Sequence, residues 1–564
     1  MANLGFHTVY KLLNDRPGVV CERAFLPEGG PDEEPRSEES HRRLTDFDVI
    51  AFSISFEMDY VNALDVLRRA GLPLKTADRT NARMPLVIAG GVAFAMNPEP
   101  MADFLDAVLI GEAEVLLDGF ISTYVQHREA GSPKADVLRA LAQVPGCYVP
   151  SLYDIEYGEK WEARRTPKDG APMKVKRMWI ESLKGLATSR AIDSPDSHFG
   201  DLYLTEVSRG CLWGCRFCAA GFILRPYREV DQETLNAEVA KGRALGRRIG
   251  LVGADVSDYS QLAPLTDNIC GLGGSFSPSA LRVPALSDDL LAKMSSTGER
   301  TVTLAPEAAT ERLRSVINKD FTDADIIAAA RRAAASGMID VKMYFIIGLP
   351  TETDEDVLAM VTLAQQVREA MLETGRKRGQ AGKFIMSVNP FVPKPWTPFQ
   401  WAAFRDERET KGKLKLLHEA ARKMGNVQVN AEAPRDSYLQ TLLSRGDRRV
   451  AEFLEVAVRA GGDYRQALRD WTPAGPDAAW YVERHIHLDE QLPWDFIEHG
   501  FEKKFLIREY HRGVAAKITP ECHLETCRAC GMDCADYTVE ERKVTGDPKA
   551  KSPFRSRPLP VLQA

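Results

Sequence analysis

Three cysteines, Cys211, Cys215 and Cys218, stand on one short glycine-bearing loop, Glu206-Val-Ser-Arg-Gly-Cys-Leu-Trp-Gly-Cys-Arg-Phe-Cys218. The Cys-x3-Cys-x2-Cys spacing is one ligand short of the four thiolates that close a cubane iron–sulfur cluster. Three thiolates on a tight loop can hold three irons and leave the fourth open. An open coordination site on a metal marks chemistry rather than structure. The residues before the loop constrain the fold: Tyr203-Leu-Thr-Glu-Val207 alternates as a strand does and leads straight into the cysteines.

Strand-like and helix-like segments then follow in a regular order. A helical stretch from Gln232 to Leu245 precedes Arg248-Ile-Gly-Leu-Val252, and Ser279-Ala-Leu-Arg-Val283 reads as the next strand. A helix from about Ser287, the strand Thr301-Val-Thr-Leu304 and a helix through Ile326–Arg332 come next. Val341–Ile347, a helix over 354–374 and Phe384-Ile-Met-Ser-Val388 complete six β/α units. The connection rules turn such a run into a parallel sheet with helices outside it.

The cysteine loop, with the aromatic Phe217 before its third cysteine, resembles the cluster motif of the radical S-adenosylmethionine (radical SAM) enzymes. The resemblance implies a partial (β/α)6 barrel whose functional groups sit at the carboxyl ends of the strands. It also implies a 4Fe–4S cluster on Cys211, Cys215 and Cys218, whose open iron binds S-adenosylmethionine. Reductive cleavage would then give methionine and a 5′-deoxyadenosyl radical, with an electron donor of the flavodoxin or ferredoxin type. Gly253-Ala-Asp255 stands where the superfamily often has Gly-Gly-Glu, which assigns Gly253 and Asp255 to the methionine end. Ala305-Pro-Glu307, followed by Arg312 and Arg314, resembles the segment that meets the ribose, so Phe217 and Glu307 are expected at the adenosine. Gly348-Leu-Pro-Thr-Glu352 resembles the loop that encloses the adenine; helix-dipole complementation is the plain alternative for Glu307 and Glu352.

The N-terminal residues 1–150 read as a doubly wound α/β unit with strands at Val19–Cys21, Val49–Ile54, Leu86–Ala89 and Ala107–Ile110. They resemble the cobalamin-binding-like Rossmann domain that precedes the barrel in many radical SAM proteins. Two departures count against bound cobalamin. The Asp-x-His-x-x-Gly signature is absent, His7 lacking both its Asp and its Gly, and the first strand looks missing, as though the N-terminus were incomplete. Residues 151–200 read as a connector, 201–400 as the barrel, 401–515 as a helical region and 516–564 as a metal-binding tail. The proline-spaced Asn389–Pro398 stretch leaves the sixth strand, and His485 and His487 alternate without further sign of ligation.

That tail holds Cys522-His-Leu-Glu-Thr-Cys527-Arg-Ala-Cys530-Gly-Met-Asp-Cys534. Four crowded thiols in a reducing compartment form a metal site. A complete set suits structural zinc or a second iron–sulfur cluster, and the Cys-x4-Cys-x2-Cys start favours the latter. Net charge of −7 gives no global field for nucleic acid, and no run of apolar residues is long enough to span a membrane. A cytoplasmic enzyme is expected.

From end to end the chain resembles an uncharacterised bacterial radical SAM family with a cobalamin-binding-like domain, a barrel of the methylthiotransferase and elongator type, and a cysteine-rich C-terminus. Ile88-Ala-Gly-Gly91, Asn97-Pro-Glu-Pro100 and Gln491-Leu-Pro-Trp-Asp495 carry that likeness. It implies an RNA or nucleotide-derived substrate and a small companion protein. Ordinary methylthiolation would need a second cluster before the barrel, where only Cys21 and Cys147 occur. The alternative is a non-catalytic iron–sulfur scaffold or sensor that binds S-adenosylmethionine.

Overall fold

The computed structural model describes residues 3–30, 32–81, 84–159, 161–375, 382–524, 527, 529–532 and 534. The tail beyond 534 therefore lies outside the described residues.

The N-terminal unit is a four-stranded sheet in the order β1 (Val49–Ser53), β2 (Leu86–Gly90), β3 (Ala107–Leu109) and β4 (Cys147–Tyr148). The first three strands are parallel and β4 is antiparallel. Helices α1 (Leu4–Asn14), α2 (Tyr60–Arg69), α3 (Ala113–Glu129) and α4 (Lys134–Leu141) accompany it. β2 and β3 read as continuous apolar runs because parallel strands covered on both faces bury every side chain. Val19–Cys21, expected as a strand, forms none: the Cys21 backbone bonds to the Asn14 side chain instead.

The barrel supplies seven parallel strands in two sheets. β5 (Leu202–Glu206), β6 (Arg248–Val252) and β7 (Phe276–Pro278) form one. β8 (Thr301–Glu307), β9 (Asp340–Ile347), β10 (Phe384–Pro390) and β11 (Val427–Ala431) form the other. The third strand lies three residues earlier than Ser279–Val283; Val283–Ala285 turns into a short 3-10 helix led by Pro284. β11 extends the expected six, and its half-exposed polar sequence hides it from a hydrophobic reading.

The outer helices are α5 (Gln232–Ala244), α6 (Leu262–Gly271), α7 (Asp288–Ser296), α8 (Asp323–Ser336), α9 (Asp354–Gly375) and α10 (Glu407–Ala421). Along β9 burial alternates: Val341, Met343, Phe345 and Ile347 pack into the core shared with α8 and α9. Lys342, Tyr344 and Ile346, on the other face, stay half-exposed. A parallel strand packed on both faces would bury all of them, so the inner face of this sheet keeps room for a ligand.

A third feature positions the site. One hydrophobic core joins the N-terminal unit to α11 (Pro434–Arg445), α12 (Val450–Arg459) and α13 (Lys503–Val514), and the barrel has a core of its own. Buried Glu57 accepts from Lys394 at 2.6 and 2.8 Å and from Ser444 at 2.5 Å, across more than 330 residues of sequence. Burial alone would raise the Glu57 carboxyl, but Lys394 holds it below its usual range. The 151–200 stretch contributes a hairpin of Tyr153–Tyr157 with Ala163–Pro167, and Val175–Lys176 pairs with Ile497–Glu498. Phe222 and Ile223, just past the cysteine loop, belong to the first core, so that loop sits on the seam between the two.

Candidate radical-cluster site

β5 runs into the cysteine loop, and the chain reverses at Gly210, whose φ is +89°. A Cβ there would meet the Pro226 and Leu224 carbonyls at 2.7 and 2.8 Å, so only glycine fits. The preceding Arg209 is clamped by Glu206 at 2.7 Å, Glu112 at 2.8 Å and Glu114 at 3.0 Å. Glu112 follows β3 and also takes Arg228 at 2.9 Å. Burial opposes its ionisation, yet Arg209 and Arg228 hold its carboxyl low. The N-terminal unit thus grips the cysteine loop from outside the barrel.

Inside the loop, the Trp213 amide points at Cys211 Sγ, 3.5 Å away, and the amides of Gly221 and Ala220 point at the Cys218 sulfur. Amide-to-sulfur hydrogen bonds are what thiolate cluster ligands use to tune their charge. Burial pushes the Cys211 and Cys218 thiols up, and Cys215 pushes both further. Cys211 and Cys218 therefore both feel Cys215, and a cation that replaced the thiol protons would relieve that. Among the described residues, these included, no three His, Cys, Asp or Glu side chains are gathered into a ligand set. The fit to a cluster rests on the donor chemistry and the amides.

The other expected residues occupy neighbouring strand ends. Asp255, after β6, is 4% exposed; its Oδ1 takes the Ser257 amide at 3.0 Å, while Oδ2 is buried without a partner. Burial raises its carboxyl, Ser257 and Arg282 partly offsetting. Gly253 exchanges backbone bonds with Ser279 Oγ at 3.1–3.2 Å. Glu307 ends β8 past a register shift, with φ at +61°, and meets Lys319 at 3.2 Å. Such a conformation in a non-glycine residue is costly and clusters at working sites. Gly348, φ +88°, ends β9, and its amide donates to Glu352 at 2.8 Å. Glu352 is also paired with Lys413 at 2.8 Å, so it fixes the turn rather than facing a ligand. Phe217 is half-buried against the small apolar cluster that includes Phe391 and Phe399. Arg314 is spent on the Ala309 and Phe321 carbonyls at 2.9 Å, and Arg312 on Thr351 at 3.0 Å.

Sequence reasoning missed four residues here. Lys319 donates to the Ala305 carbonyl at 2.6 Å and meets Glu307 at 3.2 Å, and its charge partly offsets the burial of Cys218 and Asp255. The Trp213 indole donates to Asp258 at 2.8 Å, and Arg282 stacks on the Trp213 ring at 3.5 Å. Burial, then Asp255, pushes the Asp258 carboxyl up to about 7. Lys319, Asp258 and Arg282 lie in turns with no sequence signature; Trp213, inside the motif, was the one signal available.

The N-terminal unit does not fit cobalamin. Its described strands run in sequential order, so the reversal that opens a ligand crevice in a doubly wound sheet is not formed. His7 is buried in α1.

At the C-terminus the Cys522 thiol donates to Cys527, pulling Cys527 down to about 5 and pushing Cys522 up. Cys530 and Cys534 are buried, and no disulfide joins any of the ten cysteines. His485 binds Tyr510 at 2.6 Å.

The chain matches two family models, "Radical SAM proteins, N-terminal" over residues 5–150 and "Radical SAM superfamily" over residues 205–364. It is 30% identical to the uncharacterized protein MJ0966 of Methanocaldococcus jannaschii over 424 residues, 74% of this chain and 82% of that protein. It is 22% identical over 201 residues to the ribosomal protein uS12 methylthiotransferase RimO of Thermodesulfovibrio yellowstonii, 34% of this chain and 47% of that one. Among solved structures, the radical S-adenosylmethionine methyltransferase TsrM of Kitasatospora setae, with cobalamin and a 4Fe–4S cluster bound, matches at TM-score 0.46 and 13% identity. That match covers 75% of this chain and 88% of TsrM. The two radical SAM family matches, with a relative 30% identical over most of the chain and the cysteine loop at the mouth of a parallel barrel, identify the chain as a member of the radical SAM superfamily of enzymes.

Proposed function

We propose that this enzyme binds S-adenosylmethionine at the strand ends around Cys211 and uses the resulting radical on an RNA or nucleotide-derived substrate. The observation that carries the reading is Asp255 Oδ2, buried without a partner beside Cys211 and fit to receive the ammonium of the methionine moiety. In this reading Lys319 meets its carboxylate, and Glu307 and Phe217 meet the adenosine. When bound, a 4Fe–4S cluster on Cys211, Cys215 and Cys218 supplies the single electron that splits S-adenosylmethionine into methionine and the 5′-deoxyadenosyl radical. The protein's part is to hold that molecule, keep water out behind Trp213 and Arg282, and present the substrate on the half-exposed face of β9.

The electron comes from a carrier of the flavodoxin or ferredoxin type, and a small companion protein completes the assembly. The four C-terminal cysteines are a second thiolate metal site, iron–sulfur in preference to zinc. None of the described helices is long and apolar enough to cross a membrane. Thiolate clusters need a reducing compartment, which supports a cytoplasmic location. The test is anaerobic reconstitution followed by reduction with S-adenosylmethionine and assay of 5′-deoxyadenosine. Turnover that disappears in Cys215→Ala is expected; equal product from both proteins sinks the reading.

A further inference from the structure

The two cysteine segments, more than 300 positions apart, are fastened together. The chain leaving α13 runs alongside the barrel's cysteine loop and is tied to it at alternate residues. The Cys522 amide donates to the Leu212 carbonyl at 2.8 Å. Asn318 donates to the Gly214 carbonyl at 3.2 Å and accepts from the Thr519 amide at 2.7 Å. Arg216, in the motif between Cys215 and Phe217, is fully buried and turned into the tail rather than toward the thiols. Its guanidinium meets Glu509 at 3.1 Å, the Lys517 carbonyl at 2.7 Å and Thr519 Oγ1 at 3.1 Å. Standard bond lengths then limit the Cα atoms of Cys211 and Cys522 to at most about 11 Å apart.

The tail thiols are not gathered into a ligand set among the described residues, but their backbone carries the marks of a thiolate knuckle. The Ala529 amide points at Cys527 Sγ, 3.5 Å away, and Gly531, directly after Cys530, has φ +91°. An amide two residues past the first cysteine, with a left-handed glycine past the second, turns the peptide dipoles of a Cys-x2-Cys knuckle toward its sulfurs. The Glu502 amide holds the Cys530 carbonyl at 2.9 Å, which seats this knuckle on α13.

We propose that Cys522, Cys527, Cys530 and Cys534 bind a thiophilic metal and that this centre is mounted on the radical-cluster loop. Arg216 and Asn318 are the positioning residues through which a loaded tail holds Cys211, Cys215 and Cys218 in place. The proposal rests on the radical reading for the identity of the first cluster, and on the second-site reading above for the tail metal.

The experiment uses the full chain, reconstituted anaerobically. Iron, zinc and sulfide are counted, the rate at which a chelator strips cluster iron is followed, and the reduced cluster's EPR spectrum is recorded with and without S-adenosylmethionine. Cys527→Ser with Cys530→Ser is expected to lose either one zinc or about four irons, which separates the two metals. Its remaining cluster should be stripped about five- to tenfold faster, the worth of one buried hydrogen bond, with an altered EPR line shape. Asn318→Ala should keep the tail metal and show the same faster loss. Asn318→Asp, which keeps the acceptor for Thr519, should recover part of it. A tail variant lacking its metal whose first cluster is unchanged in both rate and spectrum overturns the coupling. Wild-type protein with no metal beyond the first cluster overturns the tail site alone. Asn318→Ala then decides the coupling, as it also does if the cysteine variant fails to fold.

Discussion

The two cysteine loops share a device and differ in what surrounds it. Each aims an amide two residues on at a cysteine sulfur, Trp213 at Cys211 and Ala529 at Cys527. Around the barrel loop the neighbours are unfinished: Asp255 Oδ2 has no partner, Glu307 is held left-handed, and Lys319 reaches several groups. Around the tail loop, Cys530 and Cys534 are buried and the backbone is seated on α13. Three thiols stand among incomplete polar groups in the barrel loop, whereas in the tail two of the four thiols are buried and two are half-exposed. The comparison teaches that two cysteine loops with the same amide device differ in the unsatisfied polar groups around them, and those groups set the barrel loop apart.

The sharpest way to break this comparison is to remove one thiol from each loop. Cys215→Ala should abolish 5′-deoxyadenosine formation, since no other group replaces a cluster ligand, while Cys530→Ala should slow it and leave turnover measurable. Equal losses would erase the distinction. Next in size, Glu112→Gln leaves Arg209 and Arg228 buried with too little countercharge. A loss of about 3–5 kcal/mol is expected in denaturant unfolding, the usual cost of breaking a buried pair from one side.

A smaller effect separates the two glycines. Gly210→Ala must push a Cβ against backbone carbonyls at 2.7 and 2.8 Å, whereas Gly531→Ala meets the flexible Glu502 side chain at 2.9 Å. Left-handed strain alone costs about 1–2 kcal/mol in either case, so Gly210→Ala should lower the melting temperature further. A reversed order would mean that the tail is the more rigid seat.

The least effect concerns pH. The Asp258 carboxyl is raised to about 7, so the fold favours its protonated form. That contribution is complete below the ordinary carboxylate range and is lost as pH rises toward 7. Asp258→Asn, followed by melting temperature from pH 5 to 8, should flatten part of this decline; an unchanged slope would remove Asp258 as its source.

The barrel was legible because strand alternation, helical stretches and the cysteine loop agreed with one another, and the superfamily match stands on the same residues. What escaped reading has physical reasons. β11 carries polar residues at a half-exposed edge, so its periodicity is weak. Val19–Cys21 is apolar enough for a strand, but Asn14 takes the Cys21 backbone bonds that a neighbouring strand would need. Arg216 looks like an ordinary motif residue, and only the fold shows that its charge is spent on Glu509 and Thr519. Lys319 and Asp258 reach the site through turns, where spacing in sequence says nothing of distance in space. Asp255 was legible as a candidate because a carboxylate stood at an expected strand end, and the fold puts it after β6.

The shared core of the N-terminal unit and the C-terminal helices has a consequence for synthesis. Val87, Val108 and Phe94 emerge from the ribosome first, yet the core that buries them includes Leu442, Phe453 and Leu506, which are made last. The barrel, whose core is largely contiguous in sequence, can condense while the opening segment still lacks its late partners. Nascent chains halted before α11 would therefore present a folded barrel with an unfinished apolar flank, a target for holdase chaperones. Completing the chain from α11 onward closes that flank and brings the second cysteine segment against the first in the same event.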